Sequence, residues 1–172
     1  MNPLIAVCGS DGDDPNLSEY AIKTAEDVGR YIAQNHGILI CGGRGGIMKA
    51  ACRGAKKENG ITVGILPNTK DEANEFVDIP IVTGLGHRRN FLVVNSADAI
   101  IAISGRWGTL NEVSFAIIFD KPLILIKGTG GIIDKIISND FQDFFNSRCF
   151  IVDSAKEAVD KAIGEVKKDE GI

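Results

Sequence analysis

The chain has 172 residues, of which 44% are hydrophobic and 24% charged, and its formal net charge is −4. This length predicts a single domain over residues 1–172 with a buried core, since a chain of this size buries roughly 70% of its unfolded surface. The acidic balance argues against a nucleic-acid polymer as partner. No apolar run approaches the ~18 residues of a membrane span, and the N-terminus lacks the basic segment of a signal peptide, so we expect a cytoplasmic protein.

The first half of the chain alternates short apolar runs, typical of buried strands, with amphipathic stretches, typical of helices. We predict strands at 4–8, 38–41 and 61–66, and helices at 16–34 and 46–58. Asn16 is the expected N-cap of the first helix, and Gly37 is expected to end it. Pro67 ends the third strand.

The second half repeats this alternation. We predict strands at 76–82, 99–104, 122–126 and 150–152, helices at 87–96 and 109–119, and two short helices within 131–146. Pro80 favours an edge position or an irregular course for the first of these strands. Ser154 and Glu157 form an expected capping box for a C-terminal helix.

Strands that alternate with helices and are apolar on both faces predict an α/β fold. Right-handed crossovers then give a Rossmann-like, doubly wound, mostly parallel sheet of about seven strands flanked by helices. Such sheets bind ligands beyond the carboxyl ends of the strands, near the point where the strand order reverses. The loops after the first, second, fourth and fifth strands are therefore the candidates for a site.

The loop after the second strand is rich in glycine and opens a helix. Its glycines let a ligand approach the backbone, and the helix N-terminus offers free N–H groups. Arg44 adds a charge-assisted contact for a phosphate group. The candidate ligand-binding residues here are Gly42, Gly43, Arg44, Gly45 and Gly46. The alternative is a tight turn in which the glycines serve only packing.

The loop after the fifth strand, residues 104–112, also opens a helix. Gly108 and Thr109 would present N–H groups and a hydroxyl to a ligand. Glu112 would lie on the first helical turn and lean back toward the ligand. Thr109 and Glu112 also have the spacing of a capping box, which needs no ligand. Both interpretations remain open at this stage.

Two further loops carry polar candidates. Arg88 and Arg89 stand at a predicted helix start, where the helix dipole disfavours cations, so an anionic ligand would suit them. The alternative is that one arginine is solvated while the other pairs with an acid. After the first strand, Gly9 and Ser10 are candidates to line a phosphate or base pocket.

The cysteines Cys8, Cys41, Cys52 and Cys149 form no Cys-x-x-Cys pair, and three of them lie in or beside apolar stretches. We expect them to be small buried side chains. His36 and His87 are far apart in the sequence, so no metal site is expected.

Taken in order, these segments resemble the Lonely Guy superfamily, long mislabelled as lysine decarboxylases. Residues 41–48 match its GGGxxGLM-like turn, residues 87–90 its arginine-bearing helix start, and residues 104–112 its PGGxGTxxE loop. The resemblance covers roughly residues 4–126. The short segment after Glu112 is similar to the small branch that includes molybdenum cofactor carrier proteins.

The resemblance implies a phosphoribohydrolase, which cleaves the N-glycosidic bond of a nucleoside 5′-monophosphate and releases the base and ribose 5-phosphate. It assigns catalysis to Arg89 and Glu112, and phosphate binding to Gly105, Gly108 and Thr109. Arg106, in the same loop, is a further candidate ligand-binding residue. No pyridoxal-phosphate site is recognisable, so lysine decarboxylation is not expected. No cofactor is required, although a bound nucleotide or pterin phosphate is compatible with such a pocket.

Three positions depart from the superfamily pattern. Ser104 replaces its proline, Arg106 its second glycine, and Asn111 the second glutamate of cytokinin-activating members. The carrier proteins of the small branch bind a pterin phosphate without turning it over, so a non-catalytic carrier or sensor is the alternative function. The resemblance also implies a homodimer or tetramer, with segments 91–94 and 113–119 as candidate contact surfaces.

Overall fold

A computed structural model describes residues 2–138, residue 143 and residues 145–171. The strands are β1 (Leu4–Gly9), β2 (Ile38–Cys41), β3 (Thr62–Leu66), β4 (Ile79–Val82), β5 (Ala99–Ile103), β6 (Leu123–Ile126) and β7 (Cys149–Val152). They form one parallel sheet in the order β4-β3-β2-β1-β5-β6-β7. The predicted seven-stranded parallel α/β sheet is confirmed.

Helices cover both faces of the sheet. They are α1 (Glu19–Gln34), α2 (Gly46–Lys57), α3 (Asn90–Ser96), α4 (Trp107–Ile118), α5 (Gly131–Ser138) and α6 (Ala155–Asp169). Side chains of α1, α2 and α6 pack with Ile5 and Val7 of β1. Those of α3, α4 and α5 pack with Ala6 and Cys8. Successive residues of β1 therefore point into the cores on opposite faces of the sheet, as a strand buried on both faces requires.

The strand order reverses at β1, which pairs with both β2 and β5. Gly9, at the end of β1, lies in register with Ile103 of β5. A Cβ on Gly9 would lie 2.5 Å from Ile103 O and 2.6 Å from Ile47 Cγ2. The glycine therefore lets β1, β5 and the start of α2 meet at the reversal point.

Helices α1 and α2 cross at backbone contact. A Cβ on Gly29 would lie 1.9 Å from Ala51 O, and a Cβ on Gly54 would lie 1.8 Å from Glu26 O. Each helix thus supplies a glycine to the crossing, and this close packing fixes the position of α2 and the loop that precedes it.

The predicted start of α1 was wrong, whereas its predicted last residue, Gln34, is confirmed. The N-cap is Ser18, whose hydroxyl accepts the Ala21 N–H, whereas Asn16 donates its N–H to Asp14 Oδ1 in a preceding turn. At the other end the residue with left-handed backbone geometry is His36, with φ of 59°, while Gly37 donates to Ile32 O. The left-handed residue that follows the helix is therefore one position earlier than the predicted Gly37.

The second half needs three corrections. Strand β4 is shorter than the predicted 76–82, although its edge position confirms the prediction from Pro80. The predicted helix 87–96 divides into a 3-10 turn, Gly86–Arg89, and α3. Of the two helices predicted within 131–146, α5 is present, and the second falls largely outside the described residues.

At the C-terminal helix, the Ser154 hydroxyl accepts the Glu157 N–H, so the N-cap is confirmed. The predicted capping box is only half formed, because the Glu157 carboxylate accepts the N–H of Asp153 instead of that of Ser154. In the described part of the chain, no helix combines the length and apolar character needed to cross a membrane.

Candidate functional site

A cavity of about 280 Å³ lies at the reversal point of the sheet, beyond the carboxyl ends of β1 and β5. Its wall is formed by the loops after β1, β2, β4 and β5, as predicted from the strand order. The predicted site residues that line it are Gly9, Ser10, Arg44, Arg89, Arg106, Gly108, Thr109 and Glu112. The predicted site residues that do not line it are Gly42, Gly43, Gly45, Gly46 and Gly105, of which Gly105 lines a second cavity with Arg106 and Trp107.

Arg89 and Glu112 face each other in this cavity. Arg89 Nη1 lies 3.6 Å from Glu112 Oε1, and both side chains are buried. Arg88 and His87 are exposed. This arrangement matches the expectation that one of the adjacent arginines is solvated and the other pairs with an acid.

The guanidinium of Arg89 is held from two sides. It donates through Nη1 to Asn90 Oδ1, and its Nη2 lies against Gly42, where a Cβ would be only 2.3 Å away. Among the described residues the buried Nε of Arg89 has no hydrogen-bond partner. A buried charged group with an unused donor is well suited to an anionic ligand.

Glu112 has an unusual protonation equilibrium. Burial raises the pKa of its carboxyl to about 7, while the Arg89 cation and the Cys8 thiol act in the opposite direction. Burial also raises the pKa of Cys8, so the thiol keeps its proton and donates a hydrogen bond to the Glu112 carboxylate. Cys8 was not among the predicted site residues. Its only sequence signal is its position at the end of β1.

The start of α4 excludes the capping-box interpretation of Thr109 and Glu112. The N-cap is Arg106, which makes no side-chain capping hydrogen bond, and Thr109 is already inside the helix. Glu112 therefore lies on the second turn, not the first, and its carboxylate faces Arg89. The first N–H groups of α4, at the residues that line the cavity, lack a side-chain cap.

The first glycine-rich loop is occupied by the protein's own carboxylate. Asp11 Oδ1 accepts the N–H of Gly45 at 3.0 Å, and Asp11 Oδ2 pairs with Arg44 Nε at 3.1 Å. The Ile47 N–H donates to Ser10 O. These contacts favour the packing interpretation for this loop, because an anion already sits at its helix N-terminus.

Ser10 connects the loops after β1 and β5. Its hydroxyl donates to Asp14 Oδ2 at 2.6 Å and accepts the N–H of Gly105 at 2.9 Å. The hydrogen bond from Ser10 holds the pKa of Asp14 below its usual value. Gly105 has φ of 95° and leaves no room for a Cβ against Thr109. Ser10 thus both lines the cavity and, together with Gly105, fixes the course of the loop that opens α4.

Asn90 joins the arginine-bearing turn to α4. Its Nδ2 lies 3.3 Å from Gly108 O and 3.2 Å from Asn111 Oδ1. Trp107 also lines the cavity and is 79% exposed. Neither residue was predicted for the site. Asn90 lay within the motif that suggested Arg89, and Trp107 is the unspecified position of the PGGxGTxxE pattern.

Comparisons with known proteins find relatives of this chain. An uncharacterized protein of Archaeoglobus fulgidus is 42% identical over 109 residues, which cover 63% of this chain and 72% of that protein. A cytokinin riboside 5′-monophosphate phosphoribohydrolase of Arabidopsis thaliana is 27% identical over 171 residues, covering 90% of this chain and 74% of the relative.

The solved structure of the molybdenum cofactor carrier protein of Chlamydomonas reinhardtii superimposes with a TM-score of 0.83 at 31% identity. The match covers 98% of this chain and 99% of that one. The predicted resemblance to Lonely Guy proteins and to the branch with molybdenum cofactor carriers is confirmed. A family model described as the SLOG cluster4 family matches residues 2–159, and the chain belongs to that family.

Proposed function

We propose that the cavity binds a phosphorylated, nucleotide-like ligand and that the chain hydrolyses the N-glycosidic bond of a nucleoside 5′-monophosphate. The observation that carries this proposal is the buried pair of Arg89 and Glu112 at 3.6 Å, beside the uncapped N-terminus of α4. This places a cation, a carboxylate and free backbone N–H groups around one cavity of about 280 Å³. A nucleotide needs such a combination for its phosphate and its ribosyl carbon.

The start of α4 is the better of the two phosphate sites considered from the sequence. Gly108 and Thr109 line the cavity, and the helix dipole there favours an anion. Arg106 and Arg89 add positive charge on either side. In the other loop, Asp11 occupies the corresponding position. We therefore assign the phosphate to Gly108 and Thr109.

The proposed reaction adds water across the bond between the ribosyl C1′ and the base. The C1′–N bond breaks, the water oxygen bonds to C1′, and the base leaves with a proton. Positive charge develops at C1′ in the transition state. The ionised Glu112 carboxylate stabilises that charge, while Arg89 and the α4 N–H groups hold the phosphate.

The test is release of free base from a panel of nucleoside 5′-monophosphates, followed by chromatography. We expect release by the wild type and a loss of orders of magnitude in Glu112→Gln, which keeps the shape but removes the charge. Glu157→Gln is the matched control, because glutamine also serves at its capping position in α6. Equal rates for wild type and Glu112→Gln would remove Glu112 from the mechanism.

A non-catalytic carrier is the second candidate. It is supported by the similarity to the Chlamydomonas carrier over nearly the whole chain. It is also supported by Asn111, whose side chain is tied to Asn90 where cytokinin-activating members have a second glutamate. Binding of nucleotides or a pterin phosphate by a wild type that releases no base favours this function. The ligand that copurifies with the protein is an independent readout.

A further inference from the structure

The Trp107 indole is a large aromatic surface at the rim of the candidate site. It is 79% exposed, and no other large apolar side chain among the described residues is more exposed. Trp107 is the first residue of α4. Helical side chains lean toward the N-terminus of their helix, so the ring lies at the cavity rim and not along the helix.

Trp107 belongs to two cavities at once. With Glu112 it lines the first cavity, and with Ile132 and Lys135 it lines a second of about 380 Å³. Arg106 and Trp107 form the shared wall. A ligand whose phosphate is held by the first N–H groups of α4 would therefore extend along this ring.

The other exposed aromatic ring near α4 has aromatic partners. Phe91 makes edge contacts with Phe115 at 5.8 Å and with Phe119 at 5.5 Å between ring centroids. Within residues 2–138 and 145–171, the ring contacts and cation–π contacts involve other residues, so no aromatic ring or cation stacks on Trp107 there. Exposing an indole to water is unfavourable, and covering it with a flat ring recovers that free energy.

We propose that Trp107 is the platform on which a heteroaromatic ring of the ligand stacks, and that it determines selectivity for ligands with such a ring. This inference rests on the proposed phosphorylated ligand and narrows its class to phosphorylated purine- or pterin-like compounds. Phosphate and ring are then recognised by adjacent groups: Gly108 and Thr109 hold the phosphate, and Trp107 holds the ring. A sugar phosphate without a base has only the first of these interactions.

The chain contains a single tryptophan, so ring stacking has a direct optical signal. In the wild type we expect AMP to quench tryptophan fluorescence and ribose 5-phosphate to leave it nearly unchanged. Calorimetry then compares AMP with ribose 5-phosphate in chains with Trp107, Trp107→Ala and Trp107→Phe, each also carrying Glu112→Gln so that AMP is not cleaved during the titration. We expect Trp107→Ala to weaken AMP binding about 10- to 100-fold, the usual effect of losing a stacking ring. Ribose 5-phosphate affinity should change less than about twofold, and Trp107→Phe should retain most of the AMP affinity.

Two outcomes overturn the stacking proposal. The first is equal AMP affinity with and without Trp107→Ala. If that variant also has a smaller molecular mass, a second copy of the chain covers the ring. The second is an equal loss of AMP and ribose 5-phosphate affinity, which would mean that the ring only shapes the loop. A wild type that binds neither compound contradicts the proposed function itself, and so is distinct from these two.

Discussion

Arg89 Nη1 lies 3.6 Å from Glu112 Oε1, and each side chain is only 8% exposed. Removing two charges from water costs several kcal/mol per ion, and a loose contact recovers that cost poorly. The raised pKa of Glu112, about 7, is a direct consequence. Such a pair contributes little to folding and is better suited to a ligand that brings its own charge.

The protonation of Glu112 makes stability depend on pH. Its folded pKa of about 7 lies above its ordinary value of 4.5, so the folded state binds the proton more tightly. This contribution to stability is fully present below the ordinary pKa and is lost as the pH rises through the folded pKa. We expect the wild type to lose up to about 3 kcal/mol of unfolding free energy from this group between pH 4.5 and 8.

Urea unfolding of wild type and Glu112→Gln at several pH values measures this contribution. The difference between the two proteins isolates Glu112, because other titrating groups are common to both. Parallel pH curves for the two proteins would show that Glu112 titrates normally.

Cys8 should affect the pKa of the Glu112 carboxyl. Its thiol lowers the pKa of the Glu112 carboxyl by hydrogen bonding, so Cys8→Ala should raise that pKa further. The midpoint of the Glu112-dependent pH profile should therefore move to higher pH. Cys149→Ala, a half-buried cysteine on β7, is the control and should leave the midpoint unchanged. A Cys8→Ala midpoint at or below that of the wild type contradicts the hydrogen bond.

Removing the Ser10 hydroxyl should loosen the loop that opens α4. Ser10→Ala leaves the Gly105 N–H and the Asp14 carboxylate without their partner. We expect a loss of about 1–3 kcal/mol in unfolding free energy, together with weaker phosphate binding. Ser114→Ala removes an exposed hydroxyl on α4 that bonds only to Leu110 O, and should cost below about 0.5 kcal/mol. Similar losses for both variants would contradict the connecting role of Ser10.

The crossing of α1 and α2 can be tested with two glycines. Gly54→Ala places a Cβ 1.8 Å from backbone oxygen and should destabilise the protein by about 1–3 kcal/mol or more. Gly164→Ala, in α6, meets nothing within 4 Å and should stabilise it by up to about 1 kcal/mol. Thermal unfolding of both variants measures the contrast. A Gly54→Ala protein as stable as wild type would mean that the helices are farther apart.

The surface around Ile118 is the expected contact between copies of the chain. Ile118 is 70% exposed on α4, whose Phe115 and Phe119 contact the half-exposed Phe91. We expect a dimer by light scattering at micromolar concentration, and a monomer after Ile118→Lys. Tyr20→Lys, at a 54% exposed position on α1, should leave the mass unchanged. A monomeric wild type would refute the dimer.

The alternation of apolar runs and amphipathic segments was sufficient to predict the sheet and the position of the site. That pattern follows directly from burial, which a single sequence displays. Pro80 correctly indicated an edge strand for the same local reason: it lacks an N–H group. Helix ends were less predictable, since Asn16 and Ser18 are both good N-caps and tertiary contacts of Asp14 decide between them.

The sequence predicted which loops surround the cavity, but not which side chains contact one another there. The spacing of Thr109 and Glu112 is the same at a helix cap and inside a helix, so only the start of α4 at Trp107 excludes the capping box. Asp11 accepts the N–H of Gly45 at the start of α2 from 34 residues away, and Cys8 on β1 contacts Glu112 on α4. Contacts of this kind depend on how the sheet is ordered, which local patterns do not specify.

The proline at the edge of the sheet also bears on how the folded protein behaves in concentrated solution. Ile79, Ile81 and Val82 are each 44–48% exposed, so β4 presents an apolar ribbon that another chain could extend as an added strand. The N–H of Thr83 points to Leu66 O of β3, and backbone nitrogens alternate in direction along a strand, so the nitrogen of Pro80 faces the open side. A backbone carbonyl of an incoming strand would find no N–H donor at this position. Pro80 therefore protects this edge against aggregation without any change to the apolar residues beside it.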